Sequence, residues 1–188
     1  MIGVTGHRWI RETKELISTI DQVIGRIIRT YPGHLPNVLS PLAEGADRIL
    51  AKRFLDHQGT KLTVILPIPL DEYVKDFPSE QSEMEFHRLL DHADKVIAMP
   101  SPTSRAEGYL AGGRYIVDHC DLLVAIWDGK VAHGRGGTGE IVHLARERGL
   151  PLVWIPCVLP DTAAGEASLS TEKKGGIRFE RFPQQNSI

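Results

Sequence analysis

Apolar residues follow two different patterns along most of this chain. Short runs of consecutive apolar residues, typical of buried strands, alternate with longer stretches in which apolar residues recur every three or four positions, as in amphipathic helices. The predicted strands are Met1–Thr5, Asn37–Ser40, Lys61–Leu66, Lys95–Met99, Asp121–Trp127 and Leu152–Ile155. The predicted helices are Glu12–Thr30, Gly45–Gln58, Pro78–His92, Arg105–His119 and Thr138–Arg148. This alternation indicates an α/β fold, a Rossmann-like doubly wound sandwich with a mostly parallel sheet of about six strands.

The alternation stops after Pro156, and this sets the predicted domain boundary. We expect one Rossmann-like ligand-binding domain over residues 1–156 and a partly flexible C-terminal extension over residues 157–188. Within the extension, Thr162–Gly176 is small and polar and predicts a loose segment. Ile177–Phe182 is apolar enough to add a strand or to dock against a partner, and a disordered end is the alternative.

Composition excludes several classes of protein. The 22 Lys and Arg residues and 24 Asp and Glu residues give a net charge of -2. This charge argues against nucleic-acid binding that depends mainly on electrostatic attraction. No apolar run approaches the roughly 20 residues of a membrane span, and two cysteines make neither a disulfide framework nor a zinc motif. The eight histidines show no metal-ligand spacing, so no metal and no required cofactor are expected. A cytoplasmic protein is the default expectation.

Ligands of open parallel sheets bind beyond the carboxyl ends of the strands, so the loops that follow the predicted strands are the candidate sites. The first of these loops is Thr5-Gly6-His7-Arg8. Gly6 allows a ligand to approach the backbone, and Thr5 offers a hydroxyl. His7 adds a titratable ring, and Arg8 can bind a phosphate or carboxylate. A solvated loop with a surface arginine is the alternative interpretation.

The second loop, Ser40–Asp47, leads into a predicted helix. Its small residues, Gly45 and Ala46 among them, leave bare helix amides that can bind an anion. Glu44 lies in the loop itself, although a solvent-exposed acid is the simpler interpretation. Asp47 is either a ligand group or an ordinary first-turn carboxylate that complements the helix dipole.

The third loop follows the most hydrophobic strand and opens another helix. It carries Asp128-Gly129-Lys130 and then the glycine-rich run Gly134 to Glu140. Such a backbone can wrap around a phosphate, and Thr138 can cap the helix or bind a phosphate oxygen. The predicted ligand contacts here are Asp128, Gly129, Gly136, Gly137 and Thr138. Tyr109 and Arg114 are added, because their helix can begin near the same cleft.

Three segments resemble one known family. They are GVTGHR at Gly3 to Arg8, SPLAEGADRIL at Ser40 to Leu50, and GRYIVDHCDLLVAIWDGKVAHGRGGTGEIVHLAR at Gly113 to Arg146. In order and spacing they are similar to the SLOG superfamily, the Rossmann-like group that joins the DNA-processing protein DprA, the LOG (lysine decarboxylase-like) phosphoribohydrolases and nucleotide-ligand sensors. The resemblance covers about residues 1–156 and is most like the small bacterial members of the group.

The resemblance implies a nucleotide-like ligand, AMP-like or NAD-related, in the cleft between these loops. It also implies a homo-oligomer. Gly6, the His7-Arg8 pair, the turn from Glu44 to Asp47, and Gly136 to Thr138 fall on the ligand-binding loops of the family. The enzymes of the group carry a glutamate three positions after the threonine of their Gly-Thr motif, where this chain has Ile141. Glu140 stands two positions after Thr138.

Three functions follow as hypotheses. The first is a nucleotide-binding protein, in which the glycine-rich loop and Arg8 hold phosphate while Thr5, Asp47 and Glu44 hold ribose hydroxyls or the base. The second is a nucleotide N-glycosidase, a phosphoribohydrolase or deoxyribosyltransferase-like enzyme, with Glu140 or Glu44 as the catalytic carboxylate. The third is a DprA-like DNA-handling protein, against which the net charge weighs.

Overall fold

A central sheet of eight strands organises the molecule, in a computed structural model that describes residues 1–131, 134–158, 168–169 and 176–183. Six of these strands are parallel to one another and lie in the order β4-β3-β2-β1-β5-β6. They are β1 (Ile2–Gly6), β2 (Asn37–Ser40), β3 (Lys61–Leu66), β4 (Lys95–Ala98), β5 (Leu122–Trp127) and β6 (Leu152–Val158). The helices are α1 (Lys14–Thr30), α2 (Ala46–Leu55), α3 (Leu70–Tyr73), α4 (Glu80–Asp91), α5 (Arg105–His119) and α6 (Thr138–Glu147). The predicted α/β, Rossmann-like architecture is confirmed.

Helices cover both faces of the sheet, which is why β5 is buried along its whole length. On one face, α1 contributes an apolar stripe and α2 and α4 pack beside it. On the other face, α5 and α6 bury Leu110, Ile116, Ile141 and Val142. Residues spaced three or four apart produce each stripe, since that spacing places them on one side of a helix.

The order of the strands reverses next to β1. β1 pairs with β2 on one side and with β5 on the other, and Gly6 lies opposite Ile126 at the carboxyl ends. The connections therefore leave these two ends in opposite directions and open a crevice between them. In doubly wound sheets such a switch point is where ligands bind.

Part of the C-terminal extension completes the sheet. β8 (Arg178–Glu180) pairs antiparallel with β6, as the apolar pattern of Ile177–Phe182 predicted in one of its alternatives. Ser168–Leu169 forms β7, a second antiparallel partner of β6 within the stretch Thr162–Gly176 that the sequence predicted to be loose. An otherwise unpaired edge of β6 explains both pairings, because its backbone groups need partners. The rest of that stretch, 162–167 and 170–175, lies outside the described residues.

A short helix before α4 was also not predicted from the sequence. Between β3 and α4, Leu70–Tyr73 forms a short helix that continues into a 3-10 turn at Val74–Asp76. Four helical residues are too few to show a periodic pattern. In addition, α4 begins at Glu80 with Ser79 as its cap, two residues after the predicted start at Pro78. In the part of the chain that the structure describes, no helix is long and apolar enough to cross a membrane.

Candidate functional site

A cavity of about 390 Å³ opens at the carboxyl ends of β1 and β5. Its volume falls in the range of small-ligand sites, about 300–1,000 Å³. All three loops proposed from the sequence reach it, although they are far apart in the chain. Of the predicted ligand contacts, those that line it are Thr5, Gly6, His7, Arg8, Asp47, Tyr109, Asp128, Gly136, Gly137 and Thr138.

Two glycines bring the first and second loops together. A Cβ atom on Gly6 would lie 2.3 Å from the Ala46 Cβ, and one on Gly45 would lie 2.0 Å from the Arg8 carbonyl oxygen. Gly45 also has a φ of +83°, which side chains rarely allow. The close approach lets the Ala46 amide donate to the His7 carbonyl oxygen at 3.1 Å. The first turn of α2 is thereby held against the wall of the cavity.

His7 and Asp128 join the ends of β1 and β5 across the crevice. The Nε2 atom of His7 lies 3.0 Å from the Asp128 Oδ1 and 3.2 Å from the Asp128 amide nitrogen. Without a hydrogen on Nε2 the ring accepts the amide hydrogen, and with a hydrogen on Nε2 it donates to the carboxylate. The Lys130 amide also donates to Asp128 Oδ1 at 3.1 Å, which leaves this carboxylate tied to the protein. The pair therefore serves to fix the two loops.

The start of α6 forms one wall of the cavity. Gly137 is its N-cap and no side chain caps the helix, so the first backbone amides lack the partners that a cap would supply. The preceding turn depends on Gly136, whose φ is +76° and whose added Cβ would lie 2.7 Å from the Leu110 backbone nitrogen. Bare amides at the positive end of a helix dipole attract anions, phosphate among them.

Arg8 adds a positive charge to the same cavity. Its guanidinium lies over the Tyr109 ring, 4.9 Å from the centroid, and has no ion-pair partner among the described residues. The Tyr109 hydroxyl donates in turn to Asp76, which also pairs with Arg105 at 2.8 Å. The ring that supports Arg8 is thus held in place by its own hydrogen bond. The guanidinium donors remain for a ligand.

Asp47 is a buried acid on the opposite wall. Only 5% of the residue is exposed, and its Oδ1 has no hydrogen-bond partner. Burial raises the pKa of its carboxyl from 3.8 to about 8, against the opposing effects of Arg8, Arg48 and the Ala43 backbone amide. The group is therefore mostly an uncharged carboxylic acid at neutral pH. Asp47 also lies in the first turn of α2, where a carboxyl complements the helix dipole only when it is ionised.

Comparisons with known proteins bear on the fold. The chain is similar to a solved structure, DNA processing protein A (DprA) from Streptococcus pneumoniae, with a TM-score of 0.56 and 19% sequence identity. The alignment covers 90% of this chain and 53% of that one, so this chain spans about half the length of DprA. The two share a Rossmann-like fold. No family model matches the sequence, and neither does any curated protein.

Neither glutamate proposed as a catalytic acid lines the cavity. Glu140 lies on the outer side of the glycine turn, where its Oε2 accepts a hydrogen bond from the Gly136 amide at 2.6 Å. Ile141 lines the cavity instead, since each residue along a helix turns the side chain by about 100 degrees. Glu44 faces a neighbouring groove beside Lys52. The structure therefore places neither glutamate in the lining of this cavity, and the catalytic role proposed for them stays a prediction.

Four other predicted contacts do not line the cavity. Gly45 and Ala46 shape its wall through the close packing described above. Gly129 lies on the far side of the loop, where its added Cβ would meet the Trp154 ring at 3.1 Å. Arg114 is exposed on α5, one position beyond the two glycines that line the cavity, because the helix turns it outward.

The sequence analysis missed Tyr73, which lies on the unpredicted helix α3. The residue is fully buried at the cavity, and its hydroxyl donates to the Pro41 carbonyl oxygen at 3.1 Å. No signal in the sequence marked it, since its segment showed neither periodic pattern. Trp9 lies at the rim with 57% of its surface exposed, the position expected of a ring that stacks on a ligand. Among the described residues, no cluster of three or more His, Cys, Asp or Glu could hold a metal ion.

Proposed function

We propose that this protein binds a nucleotide or nucleotide-derived ligand in the cavity between β1 and β5. One observation carries the proposal: the uncapped N-terminus of α6 and the Arg8 guanidinium face the same cavity of small-ligand size. Each favours an anion for a different physical reason, the helix through its amides and dipole and the arginine through its charge. A phosphate group satisfies both.

The remaining walls suit the rest of a nucleotide. Apolar surface from Ile116 and Trp127 accompanies the polar groups, and the Trp9 ring at the rim is free to stack on a base. Asp47 supplies a polar group on the wall that α2 forms. A ligand with a phosphate at one end and a flat ring at the other matches this distribution.

The N-glycosidase hypothesis needs a carboxylate at the ligand. Neither of the two acids proposed for that role, Glu140 and Glu44, lines the cavity. The similarity to DprA concerns the fold, and a net charge of -2 does not support an electrostatic grip on DNA. Binding without turnover is accordingly the function that the geometry supports best.

Isothermal titration calorimetry with nucleoside monophosphates, NAD and cyclic nucleotides tests this proposal. Arg8→Gln removes the charge at the cavity and should weaken binding about 10-fold to 100-fold, the usual effect of losing a charge-assisted hydrogen bond. Arg88→Gln is the matched control, since Arg88 is exposed on α4 and does not line the cavity. Its affinity should equal that of the unchanged protein.

Two results would contradict the proposal. One is equal nucleotide affinity in the Arg8 and Arg88 variants. The other is single-stranded DNA displacing every nucleotide at physiological salt, which would favour the DNA-handling hypothesis. Free base appearing in the calorimeter cell, measured by chromatography, would show turnover and restore the enzyme hypothesis.

A further inference from the structure

One of the two carboxyl oxygens of Asp47 lacks a protein partner, whereas the Ala43 backbone amide donates to the carboxyl. Its Oδ1 is enclosed and makes no hydrogen bond, and only 5% of the residue remains exposed, at the cavity. An unpaired buried polar group costs about 1–3 kcal/mol, so an acid in this position calls for a compensating partner. The inference below rests on the proposed nucleotide site.

Three charged or titratable side chains surround Asp47. Arg48, on the same helix, donates to the Leu42 carbonyl oxygen at 2.9 Å and to Ser82, and its Nη2 is buried without a hydrogen-bond partner. The Tyr73 hydroxyl, from α3, donates to Pro41. Arg8, from the first loop, favours the ionised form of Asp47 but forms no ion pair with it among the described contacts. None of the three donates a hydrogen bond to Oδ1 of Asp47.

The ligand is therefore the source of the missing hydrogen bond. A phosphate dianion offers only acceptors, and the start of α6 is already suited to it. The hydrogen-bond donors that lie nearest to the phosphate of a nucleotide are its sugar hydroxyls. We infer that Asp47 accepts a hydrogen bond from a ribose hydroxyl of the bound nucleotide, and that the protein thereby selects ribonucleotides over their deoxy analogues.

Binding of this kind has a proton signature. In the free protein Asp47 is mostly protonated at pH 7. A hydroxyl that donates to the carboxyl favours the ionised form, and the nearby Arg8 charge acts in the same direction. Binding should therefore release close to one proton at pH 7. The affinity should rise about tenfold between pH 6 and pH 7 and level off above pH 8.

The experiment is calorimetry at pH 7 in two buffers of different ionisation enthalpy, with AMP, GMP, CMP and UMP as probes. For each nucleotide that binds, the 2′-deoxy and 3′-deoxy analogues are titrated as well. The expected result is release of nearly one proton with the ribonucleotide and a tenfold to hundredfold weaker affinity for at least one analogue. Asp47→Asn should abolish both effects, whereas Asp91→Asn, which alters an exposed acid on α4, should keep both.

The outcomes separate this inference from the proposed function. Ribonucleotide binding with the same proton count in the Asp47 and Asp91 variants, and no preference over either analogue, overturns the inference while the nucleotide site stands. Binding without proton release at pH 7 also overturns it, because Asp47 would then have kept its proton in the complex. If no nucleotide binds, the proposed function fails and the inference fails with it. Circular dichroism of Asp47→Asn establishes that the variant is folded.

Discussion

At the scale of single residues, the sequence predicts the side chains that follow a strand more reliably than those in the first turn of a helix. Arg8 and His7 come directly after a strand, and the sequence pattern placed them at the crevice. Asp47 and Glu140 lie in the first turns of helices, where a change of one position rotates a side chain away from the ligand. The sequence identified both as candidates, but only the three-dimensional arrangement shows that Asp47 faces the cavity and Glu140 does not.

The buried acid makes folding stability depend on pH. The pKa of Asp47 is about 8 in the folded protein, against an ordinary value of 3.8 for the unfolded chain, so the folded protein holds one more proton between these values. The contribution of Asp47 to stability is therefore fully present below pH 4 and is lost as the pH rises to 8. Asp47→Asn removes this dependence. Its free energy of unfolding should gain about 1.4 kcal/mol per pH unit over the unchanged protein across that interval.

Urea denaturation at pH 5, 6, 7 and 8 measures this difference. Asp91→Asn serves again as the exposed control. If the Asp47 and Asp91 variants followed the same pH course, the acid at position 47 would not be the titrating group.

At the scale of elements, the turn before α6 shows how backbone geometry creates a binding surface. Gly136 has a φ of +76°, and Tyr109 and Leu110 of α5 leave no room for a side chain there. Gly134, two residues earlier, has no atom within 4 Å of an added Cβ. The glycine-rich composition predicted a ligand loop, yet only the packing against α5 distinguishes the essential glycine from its neighbour.

Alanine at these two positions should give different results. Gly136→Ala combines a strained backbone with a collision against α5, and we expect it to lower the free energy of unfolding by about 1–3 kcal/mol. Gly134→Ala should change it by less than about 0.5 kcal/mol. Guanidinium denaturation of the pair provides the comparison, and equal losses would mean that the turn does not depend on Gly136.

At the scale of the whole molecule, the segment 177–182 belongs to the same folded unit as the sheet. Phe182 is buried, packs edge-on against Tyr31 of the α1 end, and contacts Phe179 of β8. Arg146 of α6 pairs with Glu180 through two hydrogen bonds of 2.9 and 2.7 Å. Tyr31 and Arg146 lie on opposite faces of the sheet. The segment therefore covers the edge of β6 and connects this strand to α1 and α6.

Removing the Phe182 ring should therefore destabilise the entire fold. Phe182→Ala is expected to cost about 2–4 kcal/mol, somewhat below the loss for a central core phenylalanine. Met84→Ala, at an exposed position of α4, should cost less than about 0.5 kcal/mol. Thermal unfolding checks the pair, and a Phe182 variant as stable as the Met84 variant would show that the segment only rests on the surface.

Patterns within short stretches of the chain account for what the sequence determined by itself. Six of the strands, five of the helices and the three loops of interest follow from hydrophobic period and from glycine and proline positions, because these signals act within a few residues of the chain. The same signals missed α3, where four helical residues show no period, and Ser168–Leu169, whose pairing depends on an edge far away in sequence.

The tertiary structure alone decided which loops meet. Placing β1 beside β5 joins His7 to Asp128 across 121 positions of sequence, and no local pattern encodes that pairing. It also decided which acid is buried, because the environment of Asp47 comes from the first and second loops, α2 and α3 together. The burial and the neighbours of a side chain are set by segments that lie far apart in the sequence. The charge state of the site therefore depends on the folded chain, whereas its secondary structure follows from local sequence.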